Sequence, residues 1–354
     1  MLFSSRFTFA LGALLSLIAN ASAYSGSGET GFPSFITEWE LFSRWQKMTD
    51  DIPQFDVPGI PDLTLGEWSN PDKKVTWMCY TVSLGDTLVP TTGTVVIEKA
   101  VLSYPGDDGK EVKETVVSKR SSETADGPAV LYGARLQKGL DHPNILPIHH
   151  FVLGKGARRS YGFAIMPLIE EGSVASNFDK YSDQASVNGA FKQMLSGIAA
   201  VSAAGIIHRD IKPENFLKDG DTIKLMDFDQ SRDIDATAQM DVGTPSYTAP
   251  EIIIGVDYTT KADTFSMGMS FLIMSVSDLR NSDTRFQLWK DLIEPSPGHY
   301  RGITASEVEK ILRDRKYGVF DGNDGLLKVI AKAMCSEDER YTPGEFETAF
   351  NGAT

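Results

Sequence analysis

At 354 residues the chain is long enough for about two domains with a real hydrophobic core, and a composition 41% apolar, 23% charged and 10% aromatic, free of low-complexity tracts, excludes a disordered or fibrous protein. The balance of 48 acidic against 34 basic side chains gives a net charge of −14, the sign that repels a phosphate backbone and argues against nucleic acid as partner. Cys79 and Cys335 are too few for a disulfide framework and lack metal-ligand spacing.

In chain order, Arg6 precedes an apolar run from Phe7 to Ala19 and the small residues Ala21 and Ala23. This reads as a signal peptide over residues 1–23, too short to span a bilayer comfortably and cleaved before Tyr24. Residues 24–73 read as an extension, irregular at both ends and rich in proline. One amphipathic helix is expected inside it, where Thr37 and Glu40 make a capping box ahead of Leu41, Phe42, Trp45 and Met48. From residue 74 the pattern turns to strands: Val75 to Val82, Gly93 to Ile97, and Val112 with Val116 and Val117 after the turn Pro105-Gly-Asp-Asp-Gly109. Pro128 to Leu140 has helical spacing, and Phe163 to Met166 is a further strand. Helical patterns dominate afterwards, at Ala190 to Ala204, Thr264 to Ser275, Ala305 to Arg315 and Leu326 to Met334. A small sheet-rich part is thus followed by a larger helical part.

The densest chemical signal is His208-Arg-Asp-Ile-Lys-Pro-Glu-Asn215, followed by Asp227-Phe-Asp229 and by Ala249-Pro-Glu251. In that order these resemble the catalytic loop, the metal-binding segment and the end of the activation segment of eukaryotic protein kinases, serine/threonine branch. The resemblance covers roughly residues 75 to 346. It implies an α+β, two-lobed fold, with a small antiparallel-sheet lobe over residues 74–166 and a helical lobe over residues 167–354.

Transfer of a phosphoryl group to a hydroxyl needs an acceptor for the hydroxyl proton, cations around the triphosphate and oxygen ligands for Mg²⁺. The resemblance assigns these roles to Asp210 as base, Lys212 as the cation on the moving group, and Asn215 with Asp227 as metal ligands. ATP and Mg²⁺ are the implied cofactors, and a protein bearing serine or threonine hydroxyls is the implied substrate. Lys119 resembles the strand lysine that grips the nucleotide phosphates. Gly93 resembles the last glycine of the phosphate loop, and Met166, Pro167 and Ile169 resemble the segment that meets adenine. Asp263 resembles the aspartate that braces the catalytic loop, Arg340 the partner of Glu251, and Thr244 a residue beside Asp210 and Lys212.

Three features depart from the pattern. The helix after Lys119 carries Gly133 where the family has a glutamate, and no acidic residue lies between Pro128 and Leu140. Leu88 and Pro90 stand where two loop glycines belong. Asp229 replaces the glycine that ends the metal-binding triplet. These departures leave open a pseudokinase, a binding module built on the kinase fold. Arg209 has two readings: it meets a phosphorylated activation segment, with Thr237 as the site, or it pairs directly with Asp233 or Asp235. Few cysteines, and no glycosylation sequon after Tyr24, suit a protein that is exported yet works in a reducing compartment such as another cell's cytosol; the secretory lumen is the alternative. No stable membrane insertion is expected once the signal is removed.

Overall fold

A computed structural model describes residues 64–89, 95–121, 127–156, 160–234, 242–293 and 302–354. The expected signal peptide, the capped helix from Thr37, Pro90, Gly93, Asp235 and Thr237 lie outside the described residues. The chain divides into two compact units, one ending at Leu131 and resuming over His149–Leu168, the other comprising Tyr132–Ile148 and Ile169–Thr354.

The first unit is a closed barrel of seven strands: β1 (Thr64–Ser69), β2 (Lys74–Trp77), β3 (Tyr80–Val89), β4 (Val95–Pro105), β5 (Glu111–Ser121), β6 (His150–Lys155) and β7 (Ser160–Pro167). Neighbours pair antiparallel except at the closure, where β1 runs parallel to β6 with Leu65 opposite Leu153. The barrel differs from the sequence expectation at two points. The stretch assigned to the extension contributes β1, so the folded part begins before residue 74. The run from Val75 to Val82 is also a hairpin and not one strand, because Met78 takes a left-handed backbone (φ 47°) at the turn between Trp77 and Tyr80.

Alternation along the strands sets the two faces. Val116 on β5 packs inward with Trp68, Val82, Leu102, Phe163 and Ile165, so Ser118 and Arg120, two and four residues on, share the inner face. There Arg120 forks onto buried Glu98 (Nε to Oε2 2.7 Å, Nη2 to Oε1 3.3 Å), with the guanidinium 5.8 Å from the centre of the Trp68 ring. Lys119 lies on the opposite face, in register with Ile97 and Ala164.

The second unit is built on two long helices, α2 (Gln184–Ala203) and α4 (Lys261–Ser275), with the short α3 (Pro250–Ile254) between them in the chain. Helix α4 is buried from Ala262 through Met274, which explains why its sequence is apolar on every side. Helix α2 starts on a reciprocal cap, Asp183 Oδ1 accepting from the Ser186 amide at 2.7 Å. Its Phe191 ring meets Phe271 of α4 at 5.0 Å and Phe350 at 4.8 Å. Phe350 belongs to the last helix, Pro343–Ala353, itself started by a capping box between Thr342 and Glu345. The helix α1 (Gly127–Lys138) spans the division of the chain. Its later residues are anchored in the helical unit, where the Gln137 side chain donates to the Leu146 carbonyl at 2.7 Å.

Candidate active site

The site residues of the helical unit sit on loops fixed by this core. After β8 (Ile206–Ile207), the backbone N–H groups of His208 and Arg209 donate to the two carboxylate oxygens of Asp263 on α4, at 2.7 and 2.8 Å. Asp263 is fully enclosed, and burial raises its pKa; the His208 and Arg209 contacts act in the opposite sense. Arg209 is thereby held at φ 69°, a strained backbone for a side chain with a Cβ. Gly243 packs against the same turn, where a Cβ would fall 2.6 Å from the Arg209 carbonyl oxygen.

That turn presents Asp210. Its Oδ2 receives Lys212 Nζ at 2.8 Å and Asn215 Nδ2 at 3.0 Å, and its Oδ1 accepts from the Thr244 hydroxyl at 2.6 Å. Lys212 Nζ also donates to Thr244 Oγ1 at 2.6 Å, closing a triangle of Asp210, Lys212 and Thr244. An ionised carboxylate has about four acceptor positions, so the three bonds made here leave capacity for one more donor.

Asn215 is nearly buried, and its Nδ2 hydrogens go to the Asp210 carbonyl (2.8 Å) and carboxylate, turning its amide oxygen away from that residue. Its own carbonyl accepts from the Met226 amide at 2.9 Å, which brings Asp227 in one residue later. Asp227 adopts the left-handed region (φ 65°, ψ 67°). An amide oxygen and a carboxylate form the all-oxygen donor set that a hard cation such as Mg²⁺ takes, so these residues fit the metal.

The other anticipated contacts fall as follows. Thr244 does lie beside Asp210 and Lys212. Arg340, 2% exposed, pairs with Glu251 through both Nη atoms, and its Nε donates to the Cys335 carbonyl at 2.8 Å. In the barrel unit, Lys119 is buried on the outer face, and Val116 and Val117 of its strand pair with Pro167 and Met166. Ile169 begins the next stretch of the helical unit. Arg209 does not take Asp233: its guanidinium donates to the Gln230 carbonyl and, at 2.9 Å, to the Tyr258 hydroxyl. Asp233 accepts instead from Tyr132 of α1 at 3.0 Å. Tyr258 was not anticipated, and no local pattern marks it, since it lies 49 residues from Arg209.

A family model described as protein kinase domain matches residues 105–295, more than half of the chain. The chain belongs to the protein kinase family. Among curated kinases, it is 27% identical over 217 residues to a probable myosin light chain kinase of Dictyostelium discoideum, covering 56% of this chain and 53% of that one. It is 32% identical over 166 residues to CBL-interacting protein kinase 22 of Oryza sativa subsp. japonica, covering 42% and 36%. It is 32% identical over 192 residues to a serine/threonine-protein kinase of Caenorhabditis elegans, covering 49% and 40%. The kinase-like chain therefore spans between about a third and about half the length of these relatives. Among the described residues no helix is long and apolar enough to cross a membrane.

Proposed function

We propose that this kinase transfers the γ-phosphoryl group of ATP to serine or threonine hydroxyls of a protein substrate. The triangle of Asp210, Lys212 and Thr244 carries the reading. It supplies a carboxylate with spare acceptor capacity, a cation 2.8 Å away, and a threonine that fixes both. In this mechanism Asp210 holds the incoming hydroxyl and takes up its proton as the new O–P bond forms and the bond to the β-phosphate oxygen breaks. Lys212 sets positive charge against the equatorial oxygens of the moving group. Asn215 and Asp227 would hold Mg²⁺, which when bound neutralises phosphate charge. Lys119, Gly93, Met166, Pro167 and Ile169 are assigned to the nucleotide. Thr244 orients Lys212 and Asp210 and does not react.

The test is transfer of label from γ-labelled ATP to a generic basic protein, followed by phosphoamino-acid analysis, with Asp210→Asn as control. Label on serine or threonine, reduced at least 100-fold in the variant, is the expected result. Equal transfer by both proteins refutes the reading. No transfer, together with a melting shift on adding ATP and Mg²⁺, selects instead the binding-module reading, which Gly133 favours because it leaves α1 without a carboxylate. We also propose that the chain is exported behind residues 1–23 and acts in another cell. A mature protein in the medium beginning at Tyr24 is the expected observation; retention in the producer's secretory lumen overturns delivery to another cell.

A further inference from the structure

The departure at Gly133 has a physical counterpart within the helical unit. A Cβ built on Gly133 would lie 2.6 Å from the Phe228 carbonyl oxygen, 2.8 Å from its carbon and 3.1 Å from the Asp229 amide nitrogen. All three are backbone atoms, which have no rotamer by which to retreat, so helix α1 lies directly on the peptide that follows Asp227. The helix is not free to back away. The Tyr132 hydroxyl donates to Asp233, and the Gln137 amide donates to the Leu146 carbonyl, on either side of Gly133 along the helix.

The same peptide is held from its other side. The Phe228 and His208 rings pack T-shaped with centroids 4.8 Å apart, Arg209 Nε donates to the Gln230 carbonyl, and Ser231 Oγ donates to the His208 carbonyl at 3.3 Å. The Phe228 oxygen that Gly133 faces also accepts from the Ser231 amide at 2.9 Å, closing the turn that begins at Asp227. Displacing that oxygen opens the turn and releases the left-handed backbone of Asp227.

We propose that Gly133 is a positioning residue for Asp227: by lacking a Cβ it lets helix α1 clamp the Phe228–Asp229 peptide against the catalytic loop, holding the metal-binding carboxylate in place before nucleotide arrives. On this account a side chain at 133, including the family's glutamate, disrupts the site. The proposal rests on the reading of Asp227 as a metal ligand.

The test compares wild type, Gly133→Ala, Gly133→Glu and, as a control for helix propensity, Ala134→Gly. Two quantities are measured: amide hydrogen exchange at Phe228 to Ser231, and Mn²⁺ affinity in the presence of ADP by paramagnetic resonance of the free ion. Gly133→Ala and Gly133→Glu are expected to speed exchange of the Ser231 amide and to weaken Mn²⁺ binding, each at least tenfold, with exchange in α4 unchanged; Ala134→Gly does neither. Unchanged exchange in Gly133→Ala, equal acceleration in Ala134→Gly, or tighter Mn²⁺ binding by Gly133→Glu overturns the proposal. Should both Gly133 variants fail to fold, the wild type decides: a Ser231 amide protected without nucleotide supports the clamp, and one that exchanges freely overturns it. Failure of wild type to bind Mn²⁺ with ADP counts against the functional reading, and the exchange measurement then still judges the clamp.

Discussion

Replacing Arg340 by alanine removes a guanidinium whose side chain is wholly buried. Four hydrogen bonds end at once: two with the Glu251 carboxylate, one with the Cys335 carbonyl and one, at 3.0 Å, with the Lys261 carbonyl. Glu251, 2% exposed, is left as an uncompensated buried charge. Breaking such a pair from one side costs about 3 to 5 kcal/mol. The two orphaned carbonyls place this case toward the upper part of that range, since each unsatisfied buried group costs about 1 to 3 kcal/mol before relaxation and water entry recover part of it. Urea unfolding followed by helical circular dichroism should show a lower midpoint with an unchanged slope, corresponding to a loss of about 4 kcal/mol. The double variant Arg340→Met with Glu251→Met should recover at least 2 kcal/mol of that loss, because it leaves no buried charge behind. A single-variant loss under about 1 kcal/mol, or strictly additive losses in the double variant, would refute the reasoning. Transfer activity per folded molecule should stay within a few-fold of wild type at low temperature, because neither side chain touches Asp210 or Lys212.

Two further outcomes follow from the titratable groups. Burial pushes the Cys335 thiol up to about 11, whereas Cys79 is exposed, so at pH 8 one thiol of the native protein should react quickly with a disulfide reagent and the second only after denaturation; a fast phase that persists in Cys79→Ser refutes this. Glu171 is held at about 2, first by Lys218, then by the Gly220 amide and Lys180. A depressed carboxylate contributes stability that is present above the unfolded value near 4.5 and lost as the pH falls toward 2, so Glu171→Gln should flatten the stability profile across that window at low salt, and coincident profiles would count against the assignment.

The catalytic loop is legible in sequence because its chemistry forces particular residue types into eight consecutive positions, and the bracing Asp263 and the Arg340–Glu251 pair follow from the same resemblance. The helices are legible where apolar spacing is strong. The final helix also carries a readable start, Thr342 three residues before Glu345, yet its Gly344 and Gly352 weaken the pattern. The barrel closure is not legible, because Leu65 and Leu153 are joined only by a long-range pairing and the Gly66 and Pro71 neighbourhood reads as irregular. The hairpin at Met78 is hidden for a different reason. Met-Cys is not a turn dipeptide, since a left-handed backbone there ordinarily calls for Asn, Asp or Gly. Gly133 is visible as a departure, but its reason is a carbonyl oxygen 95 residues away, which no local pattern contains.

The barrel also bears on how the kinase meets other molecules. Pairing of β1 to β6 covers the seam at Thr64–Glu67, but along β5 only Val116–Arg120 meet β7, so among the described strands Glu111–Thr115 pair with β4 alone. That stretch carries the exposed charges Glu111, Lys113 and Glu114, the residue types that discourage a strand of another chain from adding to an open edge and so guard against sheet-to-sheet aggregation. The turn between β2 and β3 differs from it in carrying an apolar side chain, Met78, which stands 92% exposed.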